Sequence, residues 1–401
     1  MTKLVESPKA SSKSFDPKRS ILSYFANVGN AIIPELGKEL SISVPKVTSV
    51  VNELIAEGLV QDYGKIESSG GRKPNLYGVV PHSAFFLGVD VKQTHINIGL
   101  LDLQKNLLKV TEHLPFVLDN TQVSLDTLCE HINAFIEELT VPRTKILGIG
   151  INLSGRINYE TGYSYSFYFF EERPLSEVIE KKVGIKVFLE NDSRAMAYGE
   201  FCTGVVDREQ NVFFLNLDYG IGVGILIEGQ LYYGKSGYAG ELGHVPIFDN
   251  EIICHCGKKG CLETEASGWA LTRMFREKLN EGSTSVLTRK GLSPDQIQMQ
   301  DIIAAALNDD VLAIELIAKL GENVGRGIAF LINVFNPELV ILGGSLAQTQ
   351  EYIQLPVKTA LNKYSLSLVN KDTEVKMSSL GEHAGIIGAC LLVRDRVLSL
   401  I

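Results

Sequence analysis

The chain has 401 residues, 45 % hydrophobic and 21 % charged, with 37 glycines and a formal net charge of -9. A single core rarely grows past ~250 to 300 residues, so more than one folded unit is expected, and the composition excludes disordered and fibrous classes. No apolar run reaches the ~20 residues that cross a bilayer, and the opening "MTKLVESPKASSKSFDPKRS" lacks the apolar stretch of a secretory signal, so a cytoplasmic location and no membrane partner are expected.

The charge is unevenly spread. Residues 1 to 84 hold ten basic and eight acidic residues, a net +2, whereas residues 85 to 401 hold 28 basic and 39 acidic, a net -11. Contact with DNA is therefore expected of the first part alone. The six cysteines (129, 202, 254, 256, 261, 390) are too sparse for a disulfide framework, and three of them fall within eight residues, which points to metal.

The first 15 residues lack periodicity and read as a mobile arm. Residues 16 to 84 read as a winged helix-turn-helix domain. Its first helix starts with Asp16 as cap and Pro17 at the first position, carries Ile21, Leu22, Tyr24 and Phe25, and stops at Gly29. A second, short helix runs through Leu40. A third, capped by Ser43, carries apolar Val47, Val50, Val51, Leu54 and Ile55. Ser43, Lys46, Thr48, Ser49 and Asn52 lie largely off that apolar stripe, where a major groove would meet them. "GLVQDYGKIESSGGRKPNLYGVV" predicts two strands around a basic tip, with Arg72 and Lys73 placed to reach phosphate or the minor groove. The competing reading of the same pattern is a helical packing module with a solvated loop.

From Phe85 the signals alternate. Strands are predicted at "AFFLGVDV", "HINIGLLDL", "KILGIGINL", "KVFLEN", "VFFLNLDY", "VGILIEG" and "ELVILGG", and helices at 123 to 138, 192 to 203, 267 to 280, 299 to 334 and 383 to 399. This is an α/β body. Turns after Asp90 and Asp218 suggest an internal duplication.

The segment "GHVPIFDNEIICHCGKKGCLE" places His244, Cys254, Cys256 and Cys261 at the spacing of a closed tetrahedral site. Three thiolates and one imidazole are a full set for structural Zn²⁺, and Gly257 and Gly260 let the chain curl around the ion. His255 is expected at the surface and Trp269 in packing.

The stretch "GYAGELGHVPIFDNEIICHCGKKGCLETEASG" resembles the signature of the ROK family of repressors, open reading frames and sugar kinases. "LENDSRAMAYGE", "GIGVGILIEGQLYYG" and "VILGGSLA" extend the resemblance over residues 85 to 401. The N-terminal "SISVPKVTSVVNELIAEGLV" with "SSGGRKP" is similar to the domain carried only by the regulator branch, which holds the N-acetylglucosamine- and xylose-type repressors. The resemblance implies a two-lobed actin- and hexokinase-like (ribonuclease H-like) sugar-kinase body. Lobe one would span about 85 to 195 plus 383 to 399, and lobe two about 196 to 382, with the zinc loop at 244 to 261. It implies sugar contacts from Asn191, Asp192, Glu241, His244 and Glu263, with His244 serving both sugar and zinc. Read without the family, Asn191-Asp192 is a helix cap, and Glu241 and Glu263 are supports of the zinc loop.

In the kinase relatives Asp192 is the base that takes a proton from the attacking sugar hydroxyl. Their first phosphate turn is Asp-x-Gly-Gly-Thr, whereas this chain has Asp90-Val91-Lys92-Gln93-Thr94. Their second begins Gly-Thr-Gly, whereas this chain has Asp218-Tyr219-Gly220-Ile221-Gly222. Side chains at Lys92, Gln93 and Tyr219 fill space that backbone N–H groups and phosphate would share. Lys92 itself is expected to be solvated. Gly344, in the third turn Gly343-Gly344-Ser345, is retained, which serves strand-to-helix packing as readily as a bound base. The resulting expectation is a degenerate nucleotide site without ATP, in a sugar-responsive repressor that binds an operator duplex, takes a sugar or sugar phosphate, and forms a homodimer or homotetramer. The alternatives are a sugar kinase with an appended domain and a module regulated by a partner protein.

Overall fold

The computed structural model describes residues 16–65, 73–289 and 291–398. The chain divides into two compact units, one of Met1–Asp192 with Gly385–Ile401, the other Ser193–Ala384.

The first unit begins with three helices, α1 (Pro17–Asn27), α2 (Ile33–Glu39) and α3 (Val44–Ala56). Asp16 caps α1 as expected, its Oδ1 accepting from Lys18 N at 3.0 Å. Ser43 occupies the corresponding position before α3, but its side chain makes no capping bond. A short strand β1 (Ala31–Ile32) joins β2 (Val60–Lys65) and β3 (Asn75–Val79) in an antiparallel sheet of order β1-β3-β2. The expected basic tip between β2 and β3, with Arg72, lies outside the described residues.

The same unit contains a sheet built from β4 (Phe85–Val91), β5 (His95–Asp102), β6 (Leu107–Pro115), β7 (Ile146–Leu153) and β10 (Val187–Asn191). Between these lie α4 (Gln122–Glu137), the hairpin β8 (Ile157–Asn158) and β9 (Tyr163–Ser164), and α5 (Leu175–Val183). Strands β4 and β7 are buried along their whole length, which is why they read as unbroken apolar runs. The C-terminal helix (His383–Val397) returns to this sheet. Gly88 and Gly150 have no room for a Cβ because the backbone of that helix, at Ile386 and Ala389, lies directly against them.

The N-terminal helices are not packed as a separate bead. Ile21, Leu22, Phe25, Val47, Val51 and Leu54 share one apolar cluster with Phe86, Leu103, Leu147, Val393, Val397 and Leu398. Inside that contact the fully buried Arg394 donates to Ala26 O at 2.7 Å, Asn27 Oδ1 at 3.0 Å and Leu103 O at 3.2 Å, and pairs with Asp395.

The second unit runs from α6 (Asp192–Thr203) through β11 (Val212–Leu217), β12 (Ile221–Ile227) and β13 (Gln230–Leu231). Next come α7 (Glu263–Ala266), α8 (Gly268–Asn280), α9 (Val286–Arg289), α10 (Met299–Ala306) and α11 (Val311–Phe335). It closes with β14 (Leu339–Gly343), α12 (Glu351–Tyr364), α13 (Ser367–Asp372) and β15 (Glu374–Met377). The expected single helix at 299 to 334 is broken. Asp309 turns into the left-handed region at φ 62°, and Asp310 caps a new helix by accepting from Ala313 N at 2.9 Å.

The two large sheets have the same topology. Numbering strands within each unit, both run 5-4-1-2-3: strands 1, 2 and 3 are antiparallel, and strands 4 and 5 add in parallel beside strand 1. The turns after Asp90 and Leu217 both join strand 1 to strand 2, so the duplication hinted at by the two acids is present in the fold. Among the described residues no helix is long and apolar enough to cross a membrane.

Candidate functional site

In the second unit a loop after β13 leads through Glu241 and a helical turn, Leu242–His244, into a knuckle stabilised by short backbone bonds. Cys254 N donates to Lys258 O and Gly257 N to Cys254 O, both at 2.8 Å, and Ile247 N donates to Gly260 O at 2.9 Å. Gly257 (φ 81°) and Gly260 (φ 73°) take the left-handed turns, and a Cβ on Gly260 would strike Phe248 O. The ligand atoms of His244, Cys254, Cys256 and Cys261 then lie within 4.8 Å of one another.

The edges of this group fit a metal. His244 Nδ1 is 3.5 Å from Cys254 Sγ, and Cys256 Sγ is 3.6 Å from Cys261 Sγ. A tetrahedral zinc with Zn–S of about 2.3 Å and Zn–N of about 2.0–2.1 Å has ligand edges of about 3.5–3.8 Å. Burial raises the Cys254 and Cys261 thiols above the ordinary range. At Cys256 burial is outweighed by the Lys258 N–H and the neighbouring thiols, which hold it below.

The two glutamates flank this group differently. Glu241 is exposed, with Oε2 3.7 Å from His244 Nε2, the nitrogen turned away from the cysteines. Glu263 is 8 % exposed; its Oε2 accepts from Ile221 N at 3.2 Å, while Oε1 lies 3.7 Å from Cys254 Sγ. It ties the turn before β12 to the cysteine loop. His255 is exposed as expected, but its ring also stacks on Tyr219 (centroids 6.4 Å apart) and lies tilted against Trp269 (4.8 Å), which the sequence did not foretell.

In the first unit Asn191 ends β10 and Asp192 opens α6, both half-buried. Asn191 Nδ2 donates to Gly155 O at 3.0 Å and its backbone N–H to Glu190 Oε1 at 2.8 Å, with Glu190 held by Arg396 at 2.6 Å. The candidate sugar residues thus fall into two groups, Asn191 with Asp192, and Glu241 with His244 and Glu263.

The turn between β4 and β5 is closed upon its own unit. Gln93 Nε2 donates to Leu118 O at 3.2 Å and Leu118 N returns a bond to Gln93 O at 3.0 Å; Phe116 N donates to Thr94 O at 3.2 Å. Lys92 is not solvated as expected: its Nζ lies 3.5 Å from the buried Asp90 carboxylate, and its side chain is 19 % exposed. A nearby residue that sequence reasoning missed is Asn152, fully buried, whose only outward sign is one amide in the apolar run "ILGIGINL".

The corresponding turn of the second unit is also occupied by protein. Asp218 Oδ1 accepts from Tyr219 N at 2.9 Å and Oδ2 from Ser345 Oγ at 3.2 Å. The N-terminus of α8 spends its first donors on this turn, Gly268 N on Asp218 O and Trp269 N on Tyr219 O. Gly220, Gly222 and Gly344 are each explained by close approach: a Cβ would meet Glu263, Ser193 and Asn216 respectively.

On α3, Ser43, Lys46, Ser49 and Asn52 are exposed and Thr48 is partly so, its hydroxyl turned back to Val44 O at 2.9 Å. Lys73, just before β3, is exposed.

Paired five-stranded units with one shared topology and a His/Cys knuckle define a body of the sugar-kinase type. The chain belongs to the ROK family, whose model matches residues 86–396. It is 28 % identical over 368 residues to the xylose repressor of Bacillus subtilis (strain 168), covering 92 % of both chains. It is 31 % identical over 314 residues to a glucokinase of Thermotoga maritima (strain ATCC 43589), covering 78 % of this chain and 98 % of the glucokinase. A crystal structure described as a ROK family transcriptional regulator, homolog of the E. coli MLC protein, superposes with a TM-score of 0.79 at 27 % identity, covering 96 % of this chain and 99 % of that one.

Proposed function

We propose that this protein is a sugar-responsive, DNA-binding transcription regulator, a repressor of carbohydrate-use genes, and not an enzyme. The observation that carries this reading is the turn from Lys92 to Thr94, whose side chains and backbone are spent within its own unit in a body that keeps the metal knuckle and the Asn191-Asp192 pair. The likeness to a xylose repressor along 92 % of the chain supports it.

In this reading residues 16 to 84 form a winged helix-turn-helix domain. Ser43, Lys46, Thr48, Ser49 and Asn52 on α3 meet the major groove, and Arg72 and Lys73 contact phosphate or the minor groove. Zn²⁺ is held by His244, Cys254, Cys256 and Cys261; it would fix the knuckle and leave His244 Nε2 facing the ligand. The candidate contacts for a sugar or sugar phosphate are Asn191 and Asp192 in the first unit and Glu241, His244 and Glu263 in the second. Asp192 then serves as a hydroxyl acceptor. One winged domain neutralises too few phosphates for tight binding, so a homodimer or homotetramer is required. The exposed Phe330, Val334, Leu366 and Leu368 of the second unit supply an apolar face for it.

The C-terminal helix offers a route for the signal. One end, at Gly385, accepts from Asn152 Nδ2 at 2.7 Å; the other is embedded among the N-terminal helices through Arg394, Val393 and Val397. Sugar shifts the DNA-binding state only to the extent that it binds the two states unequally.

The test is selection of bound sites from a random duplex pool, followed by fluorescence anisotropy with and without a panel of sugars. Arg72→Ala should weaken binding to every duplex and reduce the salt slope by about one; unchanged affinity would remove the wing from the interface. The second reading, an ATP-dependent sugar kinase with Asp192 as catalytic base, is favoured by the retention of that residue, and turnover in a coupled assay would establish it.

A further inference from the structure

The segment "YSYSFYFF", Tyr163 to Phe170, holds six aromatic residues in eight and no charge. It begins in β9 of the first unit and is held in a defined shape. Tyr168 is its anchor: the ring is buried, its hydroxyl lies 2.9 Å from Ser124 Oγ on α4, and its N–H donates to Asn120 Oδ1 at 2.6 Å. Its φ of 57° is a left-handed conformation that a bulky side chain disfavours, and such strain clusters at ligand sites. Around this buried ring Tyr165, Phe169 and Phe170 remain 51, 63 and 40 % exposed. Phe170 stands edge-on to Tyr168, and Tyr165 is stacked on Tyr163, each with centroids 6.3 Å apart.

This strip adjoins a candidate sugar residue. Asn191 Nδ2 donates to Gly155 O at 3.0 Å, Arg156 N donates to Ser166 Oγ at 2.9 Å, and Arg156 O accepts from Tyr165 N at 2.9 Å. Gly155 has no room for a Cβ because the Ser166 side chain lies directly against it. The pair Gly155-Arg156 therefore holds both Asn191 and the aromatic strip. Charge and area narrow the occupant. A neutral strip offers no cation to a phosphate or a nucleic acid. Partly exposed, three rings present roughly 300 Å², against the ~800 Å² that each partner contributes to a stable protein interface. A pyranose ring suits the strip, because its C–H bonds make one face apolar and meet the electron-rich aromatic face while its hydroxyls stay in water at the rim.

We propose that Tyr165, Phe169 and Phe170 form a stacking subsite for a second pyranose ring, so that the ligand of this unit is a β-1,4-linked disaccharide or longer saccharide. That linkage keeps successive rings extended, with their C–H faces open to stacking. The inference deepens the sensor reading and rests on it: Asn191 and Asp192 take the first ring's hydroxyls, and the aromatic strip takes the second ring's apolar face.

Isothermal titration calorimetry on the full, zinc-loaded chain compares D-glucose, D-xylose and N-acetyl-D-glucosamine with cellobiose, xylobiose and N,N′-diacetylchitobiose. At least one disaccharide should bind about tenfold tighter than its own monosaccharide. Phe169→Ala and Tyr165→Ala should each weaken disaccharide binding about fivefold and leave monosaccharide binding within about twofold of wild type. Phe169→Tyr keeps a ring and should retain the gain. Both truncated side chains are exposed, so the unfolding midpoints of the variants should match wild type. The proposal is overturned if no disaccharide outbinds its monosaccharide, or if the gain survives both alanine variants. It is also overturned if Phe169→Ala changes the oligomeric mass by light scattering, which would make the strip a protein contact. Monosaccharide binding without a disaccharide gain sinks this inference alone; binding of no saccharide at all sinks the sensor reading with it.

Discussion

The cysteine knuckle and the turn from Asp90 to Thr94 are both tight chain reversals, and they reach closure by opposite means. In the knuckle, glycines at 257 and 260 take the left-handed bends, and four side chains converge with their ligand atoms within 4.8 Å. In the turn, the positions where a phosphate would need bare backbone carry Lys92 and Gln93, and their polar groups go to Asp90 and Leu118. One region keeps open donors for a ligand; the other has internalised them. On the proposed reading, a body of the kinase type keeps its His/Cys knuckle and its candidate sugar residues while its first turn spends on the protein the groups that a nucleotide would need.

The largest expected effect comes from breaking the knuckle. Cys256→Ser leaves an incomplete ligand set, and the unfolding midpoint should drop on the order of 10 °C, with loss of bound zinc by atomic absorption and of the sugar-induced shift. Trp269 is the only tryptophan and lies against His255, which sits between Cys254 and Cys256 in the chain, so its fluorescence should change on zinc removal. A Cys256→Ser protein that still answers sugar would separate the knuckle from sensing.

Glu263 joins the two kinds of region, since it holds Ile221 N on one side and faces Cys254 on the other. Glu263→Ala strands a buried N–H and should cost about 1–3 kcal/mol by denaturant titration. Glu263→Gln keeps an acceptor and should retain most of that stability while losing sugar affinity. Equal sugar affinity in Glu263→Gln would return this residue to a purely supporting role.

The turn after Asp90 should respond least. Replacing Lys92, Gln93 and Asp218 by glycine and Tyr219 by threonine together should bring only weak, millimolar nucleotide binding by calorimetry, because α8 still spends its first donors on the second turn. Tight nucleotide binding by that variant would mean that the turns alone decide.

The legible parts of the molecule are those where one residue type serves one local purpose. The knuckle's Cys-x-Cys and glycines, the Asp16-Pro17 start of α1 and the buried runs of β4, β7 and β11 could be placed from pattern alone. Strand β6 could not: "LLKVTEHLP" alternates poorly because most of it is only half-buried. The split between α10 and α11 was hidden because the apolar stripe continues on either side of Asn308-Asp309-Asp310, and the left-handed Asp309 decides it. The seating of the N-terminal helices depends on Arg394 contacts to residues more than 290 positions away, a separation no local pattern reports. The Lys92–Asp90 pair escaped for a related reason, since the C-terminal helix, at Gly385, packs against Asp90 from far along the chain.

If this body senses sugar without using a nucleotide, ligand-dependent thermal unfolding of the zinc-loaded protein will report it. Across a panel of sugars, sugar phosphates and MgATP, at least one sugar or sugar phosphate should raise the midpoint while MgATP alone or added with it changes nothing further. Stabilisation by MgATP, with conversion of the stabilising sugar to its phosphate, would make the protein a kinase.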